Sequence, residues 1–505
     1  MHTEMKTVSE LKIDPVRNAT ERLVTLLMLA LIFLMAARSP LDGDLFWHLK
    51  AGEQTVVMGS PLVIDPFSHT RLGEAWINHS WLAQVFLYFL WQAGSWLAIG
   101  FWVAGTVSLI FWVLFKRLNG PFGLRIGVVL LAAVTSAPLW TPRPQLFSLF
   151  FLAILVGFLN DFKQDQRRMW ILPGIFCLWS NLHGGYVLGL IYLGTFIIGN
   201  LIEVVFSPGE FRKQKLLDFA QSLLVWFVSF AVTAINPNGI KMWLVPFQTV
   251  EVKLLQQLIN EWASPDFHDP SQMVMLFFSA MVILSLCFTR KEKRAVDVVI
   301  FFTFALMAFI ARRNIGPYAL VAAPILCHYA DGIPLWESIK NQFDWSKIKL
   351  SGNHSASPKR VNRGINLVLF GLICFFSAIK LYAVTYPGWM DAQIEKQYPV
   401  QAVQYLSATD PKDGNLFNEY NDGGYLIFSL PSQPVFVDGR TDLFGDEILS
   451  DWLSVINTQG NWEDKLNHYE ISRVLVNRTR PLAYALQLRQ WEKLYEDQGW
   501  VIYER

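Results

Sequence analysis

Long apolar runs alternate with short polar connections over roughly the first three-quarters of the chain, and the pattern changes near residue 385. The runs are 22–38, 80–93, 96–116, 126–141, 144–160, 169–181, 184–206, 216–235, 271–289, 295–311, 314–330 and 364–384. A bilayer core takes about 20 apolar residues of helix, so most of these runs predict transmembrane helices; 80–93 and 169–181 are short for the task. Beyond 385, charged residues and turn signals return. Ala402 to Leu406 predicts a helix, Tyr425–Leu430 and Pro434–Val437 predict strands around a Pro-containing turn, and Arg473–Val476 predicts another strand. Leu482–Leu494 then predicts a helix and Trp500–Tyr503 a last strand, together a small α/β domain.

Charge orients the runs. Lys116, Arg117 and Arg125 make one basic connection; Lys163, Arg167 and Arg168 a second; Arg212, Lys213 and Lys215 a third; Arg290, Lys291, Lys293 and Arg294 a fourth. The linker 331–363 adds Lys340, Lys347, Lys349, Lys359, Arg360 and Arg363. The positive-inside rule puts these, with the N-terminal tail 1–21, in the cytoplasm. The alternate connections, 38–79, 142–144, 181–184, 236–270 and 312–313, then face out. The parity closes only if 80–93 does not cross. About 11 crossings follow, with residues 385–505 outside. The segment-end motifs Pro142-Arg143-Pro144-Gln145, Asn181-Leu182-His183-Gly184-Gly185, Asn236-Pro237-Asn238-Gly239, Glu261-Trp262 and Arg312-Arg313-Asn314 gather on that outer face. In the long loop 236–270, Val252, Leu255 and Ile259 are spaced for an amphipathic surface helix ending near Glu261.

Composition narrows the class. The chain of 505 residues is 53% hydrophobic and 16% charged, with mean hydropathy +0.31, which excludes a soluble globule. A net charge of +1 leaves no nucleic-acid footprint. Cys177, Cys287, Cys327 and Cys374 all lie in apolar runs, as small core residues rather than a disulfide framework.

The chemistry concentrates in Ser39–Trp81, which leaves the membrane as the first run ends. It places Asp42, Asp44 and His48 within ten residues of that exit and returns with His79. Carboxylates at i and i+2 can share a divalent ion (Mg or Mn) or split base and positioning roles. With Asp44 as an N-cap, His48 falls one turn on along the same side. Leu45, Leu49 and Val56 then face the membrane surface, opposite Lys50 and Gln54. An ordinary polar loop with one capping Asp needs no such density of Asp, His and Trp.

Asp42-Gly43-Asp44-x-x-Trp47-His48, Gly52, Asp65-Pro66-Phe67-Ser68, Gly73, Trp76 and His79-x-Trp81-Leu82 resemble the GT-C superfamily of membrane glycosyltransferases, in a bacterial branch near the family 39 type. Asn418-x-Tyr420-x-x-Gly423-Gly424-Tyr425 and Val437-Asp438-Gly439-Arg440-Thr441-Asp442 extend the resemblance over nearly the whole chain. It implies an all-α polytopic membrane domain, 22–384, of about 11–13 transmembrane helices, with a C-terminal soluble α/β domain at 385–505. It further implies a bacterial inner-membrane enzyme moving a sugar from a polyprenyl-phosphate donor to an extracytoplasmic acceptor. The superfamily analogy favours Asp42 as base, with Asp44 positioning or binding metal. His48, His79, Arg143, Asn181, His183, Glu261, Arg312 and Arg313 are candidates for substrate and phosphate. Asp438, Arg440 and Asp442 make a turn with an internal ion pair, or bind the acceptor. A lipid-linked-sugar flippase and a non-catalytic envelope scaffold are the rival readings. A transporter would set ionisable residues at the midplane, whereas here they cluster at segment ends.

Overall fold

The computed structural model describes residues 15–161, 166–252, 254, 259–334, 358–409 and 414–505. Lys163, Leu255, the tail before residue 15 and most of the 331–363 linker lie outside the described residues. The helices of the first part are α1 (Pro15–Ala36), α2 (Gly43–Met58), α3 (Trp81–Arg117), α4 (Phe122–Ser136), α5 (Gln145–Asp161), α6 (Leu172–Leu182) and α7 (Tyr186–Val205). They continue as α8 (Gly209–Val232), α9 (Val245–Glu251), α10 (Pro270–Phe288), α11 (Ala295–Ile310), α12 (Ile315–Ala330) and α13 (Pro358–Thr385). Among the described residues, seven helices are long and apolar enough to cross a membrane, those of α1, α3, α4, α7, α8, α10 and α13. The protein is a multi-pass membrane protein. The shorter α12 is buried along nearly its whole length, as an all-round apolar helix must be.

The run 80–93 forms the first limb of α3. Gly94 and Ser95 leave helical geometry, Ser95 with φ 44°, and turn the chain into the second limb. At the start of the first limb Gln84 donates to Asn78. At its end Trp91 packs on Phe428 of the C-terminal unit and on Trp96, which itself packs on Phe46. Both ends therefore meet the same polar end of the bundle. The second limb, 96–117, is about 33 Å long and suffices to cross.

One cleft is lined by the ends of α5, α7, α11 and α12 that carry Gln145, Val187, Met307 and Pro317. The opposite ends of the same helices, with Leu159, Glu203, Arg294 and His328, meet Arg117 at a small second cavity. Arg117 and Arg294, from two of the basic connections, thus lie at the helix ends opposite the cleft.

The C-terminal unit contains α14 (Pro387–Gln397), α15 (Val400–Ala408), β1 (Asn415–Asn418), α16 (Gly423–Ser429), α17 (Thr441–Ile456) and α18 (Trp462–His468). It ends with β2 (Ile471–Asn477), α19 (Pro481–Leu488), β3 (Glu492–Glu496) and β4 (Trp500–Glu504). The sheet order is β1-β2-β4-β3, with β1 parallel to β2 and the other pairs antiparallel.

Several local expectations are corrected. Tyr425–Leu430 is not a strand: Tyr425, Leu426 and Ile427 are buried in succession in α16, and a short continuous apolar run does not distinguish strand from buried helix. Pro434–Val437 stays outside the sheet; Val435 instead bridges Ser68 of the first loop. The helix expected over Leu482–Leu494 stops at Leu488, Gln490 takes φ 61°, and β3 follows. The surface helix expected over Val252, Leu255 and Ile259 falls largely outside the described residues; α9 precedes it, with Pro246 in its first turn. Asp42, not Asp44, caps α2, accepting from the Asp44 N–H at 2.9 Å. Nor does α2 lie along a membrane surface: Leu45 to Leu49 are buried all round, and Val56 is exposed.

Candidate active site

The first loop and the C-terminal unit interlock before any cleft exists. The Val435 N–H donates to Phe67 O and the His69 N–H to Val435 O, both at 3.0 Å, while Thr70 Oγ1 donates to Phe436 O at 2.7 Å. Arg440, 2% exposed, joins the two pieces by pairing Asp438 at 2.6 Å and Asp65 at 2.5 Å, with its guanidinium over Trp76 at 4.8 Å. The internal ion pair expected around Asp438 is present, and its third member comes from the first loop. On the other side, Phe46 of α2 packs edge-on against Tyr398 and Tyr425. Gly424 and Gly439 let the C-terminal backbone close on α2. A Cβ on Gly424 would strike Gly43 O, and one on Gly439 would strike Asp44 Oδ1.

The cleft between them holds about 960 Å³ and is lined from every one of these pieces. Asp44, His48, His79, Arg143, His183, Glu261, Arg313, Arg440 and Asp442, all singled out in the sequence, line it. Asp42 sits behind Arg143, and Asp438 behind Arg440. Asn181 does not line the cleft: its amide accepts from Trp81 Nε1 at 2.9 Å and donates to Ile235 O at 2.8 Å, tying loops together. Arg312 lies outside as well, half-buried, with Nε donating to Ser264 O at 3.1 Å.

Two groups of charge face this space. The first centres on Arg143. Its Nε donates to both oxygens of Asp42 at 2.8 Å, and its NH1 meets Asp44 Oδ2 at 2.8 Å and Glu261 Oε1 at 3.3 Å. Burial opposes its charge, but Asp44, Asp42 and Glu261 outweigh burial and hold its pKa above the usual arginine value. Asp44 Oδ1 accepts from Trp47 Nε1 at 3.1 Å. Burial pushes the Asp44 carboxyl up to about 6; Arg143 pulls it down, and Asp42 adds to the rise.

The second group is Arg313, His79 and His183. The Arg313 guanidinium stacks over Trp262 at 4.2 Å, and burial lowers its pKa. His183 Nδ1 accepts from the Gly185 N–H at 3.0 Å and from Ser148 Oγ at 2.7 Å, the serine itself accepting from Trp179 Nε1 at 2.8 Å. Those partners fix the tautomer: the neutral ring carries its proton on Nε2. Burial, then His79 and Arg313, hold its pKa well below the histidine norm. His79 Nδ1 is buried, has no hydrogen-bond partner among the described residues, and lies 3.9 Å from Asp442 Oδ2. His48 is held neutral by burial, and its Nδ1 meets Gln84 Nε2 at 3.4 Å.

Sequence reasoning passed over Ser148, Tyr398 and Asn421, which line the cleft. Ser148 lies within an apolar helix and carries no local signal. Tyr420 stands inside a motif already singled out, and that motif was the available clue.

No known family model matches the chain, and no curated protein matches it. Solved structures do. The apo oligosaccharyltransferase of Archaeoglobus fulgidus superposes with TM-score 0.52 at 13% identity, over 90% of this chain and 69% of that one. The same enzyme in complex with Zn and sulfate gives 0.50 at 13%, over 95% and 73%. ArnT from Cupriavidus metallidurans in the apo state gives 0.50 at 12%, over 96% and 98%. These neighbours are membrane glycosyltransferases of the GT-C type, and the chain has the GT-C fold.

Proposed function

We propose that the protein transfers a sugar from a polyprenyl-phosphate donor to an acceptor hydroxyl outside the cytoplasm. The observation that carries this reading is one cleft, at one end of the bundle, that presents a basic carboxylate and a separate cation-and-imidazole group. Asp44 takes the acceptor's proton as the acceptor oxygen bonds to the anomeric carbon. The bond from that carbon to the phosphate oxygen breaks, and the electron pair leaves with the lipid phosphate. Arg313 and the Nε2–H of His183 receive the phosphate. Asp42 is less suited to the base role, since it caps α2 and spends both oxygens on Arg143. The basic ends of the helices face the cytoplasm in this reading, and the cleft faces out.

The archaeal enzyme's complex with Zn raises the question of a metal here. A divalent ion would have to sit among Asp42, Asp44 and Glu261, and the Arg143 guanidinium already fills that centre. No group of three or more His, Cys, Asp or Glu among the described residues is arranged to hold a metal ion. The residues present do not fit one.

The test uses the full chain in nanodiscs with a panel of polyprenyl-phosphate hexoses. The wild type should consume at least one of them when acceptor is supplied. Arg313→Ala should weaken polyprenyl-phosphate binding by about 10- to 100-fold, the loss of a charged hydrogen bond. If no donor is consumed and binding does not depend on Arg313, the reading fails, and passage of the lipid between leaflets becomes the measurement to make.

A further inference from the structure

We infer that His79 and Asp442 bracket a sugar hydroxyl in the cleft, and that the sugar it admits carries a free hydroxyl on the carbon next to the anomeric centre. The inference rests on the proposed function for its donor and names the class of sugar within it; neither residue has a part in the transfer step. His79 Nδ1 is buried without a hydrogen-bond partner among the described residues, and Asp442 Oδ2 lies 3.9 Å from it. That distance is too long for a hydrogen bond between the two. A buried polar atom left unpaired points to a partner still to come. One oxygen set about 2.8 Å from each atom would span the gap. Both residues line the cleft, His79 from the first loop and Asp442 from the first turn of α17.

The chemistry of the pair selects a hydroxyl. A carboxylate at this range favours the neutral imidazole tautomer with its proton on Nδ1, so the pair presents one donor and one acceptor. A hydroxyl accepts from Nδ1–H and gives its own proton to Asp442 Oδ2. An acetamido N–H has no lone pair for the imidazole, its carbonyl has no proton for the carboxylate, and a deoxy carbon offers neither. Position decides which hydroxyl. The His79 ring meets the His183 ring edge-on, with centroids 5.7 Å apart. Gly184 permits that approach, since a Cβ there would come within 3.1 Å of His79 Cδ2. In the proposed reaction His183 and Arg313 hold the phosphate borne by the anomeric carbon. The hydroxyl nearest that carbon is the 2-hydroxyl of the same sugar. Tyr420 lines the same cleft; burial, then the charges of Asp44, Asp438 and Asp442, keep its hydroxyl protonated. The bracket and the base therefore belong to one continuous space.

The experiment measures binding of polyprenyl-phosphate glucose, mannose and galactose to the full chain in nanodiscs. It then measures the 2-deoxy, 2-acetamido and 6-deoxy forms of whichever binds most tightly. Loss of the 2-hydroxyl by either change should weaken wild-type binding by about 10- to 100-fold, the loss of a charged hydrogen bond. Loss of the 6-hydroxyl should change it little. Asp442→Ala should bind the parent and its 2-deoxy form alike, with thermal unfolding as the check on its fold. His79→Phe takes its place if the alanine variant does not fold. Wild type that binds the parent and the 2-deoxy form equally would overturn the inference. So would a folded variant that still tells them apart. Transfer without this discrimination would leave the enzyme reading standing and remove the bracket. Discrimination without transfer would count against the enzyme reading alone, and binding of none of these lipids would sink both.

Discussion

The assignment of Asp44 makes a quantitative prediction about pH. Burial raises this carboxyl to about 6 from an ordinary 3.8. As a base it works only when ionised. A group of pKa 6 is ~90% ionised at pH 7 and ~10% at pH 5, so kcat/KM should fall about tenfold over that interval. A carboxylate at the ordinary value would remain over ~90% ionised at pH 5, and the profile would be nearly flat. His48, His79 and His183 are all shifted below the histidine norm, and Asp44→Asn separates their titration from that of Asp44. Neighbouring charges give the prediction a sign. Arg143 lowers the Asp44 value and Asp42 raises it. Arg143→Gln should therefore move the acid limb to higher pH, and Asp42→Asn should move it to lower pH. Asp44→Asn should lower the rate at pH 7 by about 10²-fold or more and remove the limb. The assay is initial transfer rate from a fixed polyprenyl-phosphate sugar between pH 5 and 8. A flat profile, or shifts of the same sign in the Arg143 and Asp42 variants, would refute the assignment.

Gly439→Ala would drive a methyl group into Asp44 Oδ1, and should cut kcat with little change in thermal unfolding, since the clash falls on one carboxylate. Arg440→Leu strands Asp65 and Asp438 in a dry contact; breaking such a buried pair costs about 3–5 kcal/mol, read as faster limited proteolysis between the first loop and the C-terminal unit. Asp422 is pushed up to about 8 by burial and by Glu419, against the pull of Trp500 and Arg480. Its folded value lies above its unfolded value. The cost of ionising it is therefore absent below about pH 4, grows as pH rises and is complete above about 8. Asp422→Asn, which can still accept from Trp500 Nε1, should melt above the wild type at pH 9, with the gap closing towards pH 4.

The bundle was legible because its signal is redundant. Apolar length and basic connections state the same alternation twice, and parity singles out 80–93 as the run that does not fit it. Its physical cause, the turn at Gly94 and Ser95, could not be read locally, since an isolated Gly-Ser pair within an apolar run is no clear stop. The C-terminal strands were half legible. Arg473–Val476 and Trp500–Tyr503 alternate or pair as strands should, and they form β2 and β4. Tyr425–Leu430 carried the same apolar weight, but packing on α2 through Gly424 decided for helix. There the deciding partner lies almost four hundred residues away in sequence.

Long-range pairing also limits what the sequence says of the site. Asp42 and Asp44 stand two residues apart and are chemically alike, so no local pattern ranks them. Their difference comes from Arg143, about a hundred residues on: it takes both oxygens of Asp42 and one of Asp44. The same holds for the arginines. Arg312 and Arg313 are adjacent and identical in kind. The short turn over Arg312–Asn314 sends the first side chain outward to Ser264 and the second over Trp262 into the cleft. A sequence can thus mark which connections carry chemistry, because charge at a membrane boundary is costly and must be used or paired. It cannot apportion roles within a pair of like residues, because that choice belongs to the partner each one meets after folding. Freeing Asp42 of its arginine should therefore not hand it the role of Asp44: Asp42 remains tied by its cap to the Asp44 N–H, while Asp44 alone keeps a face on the cleft.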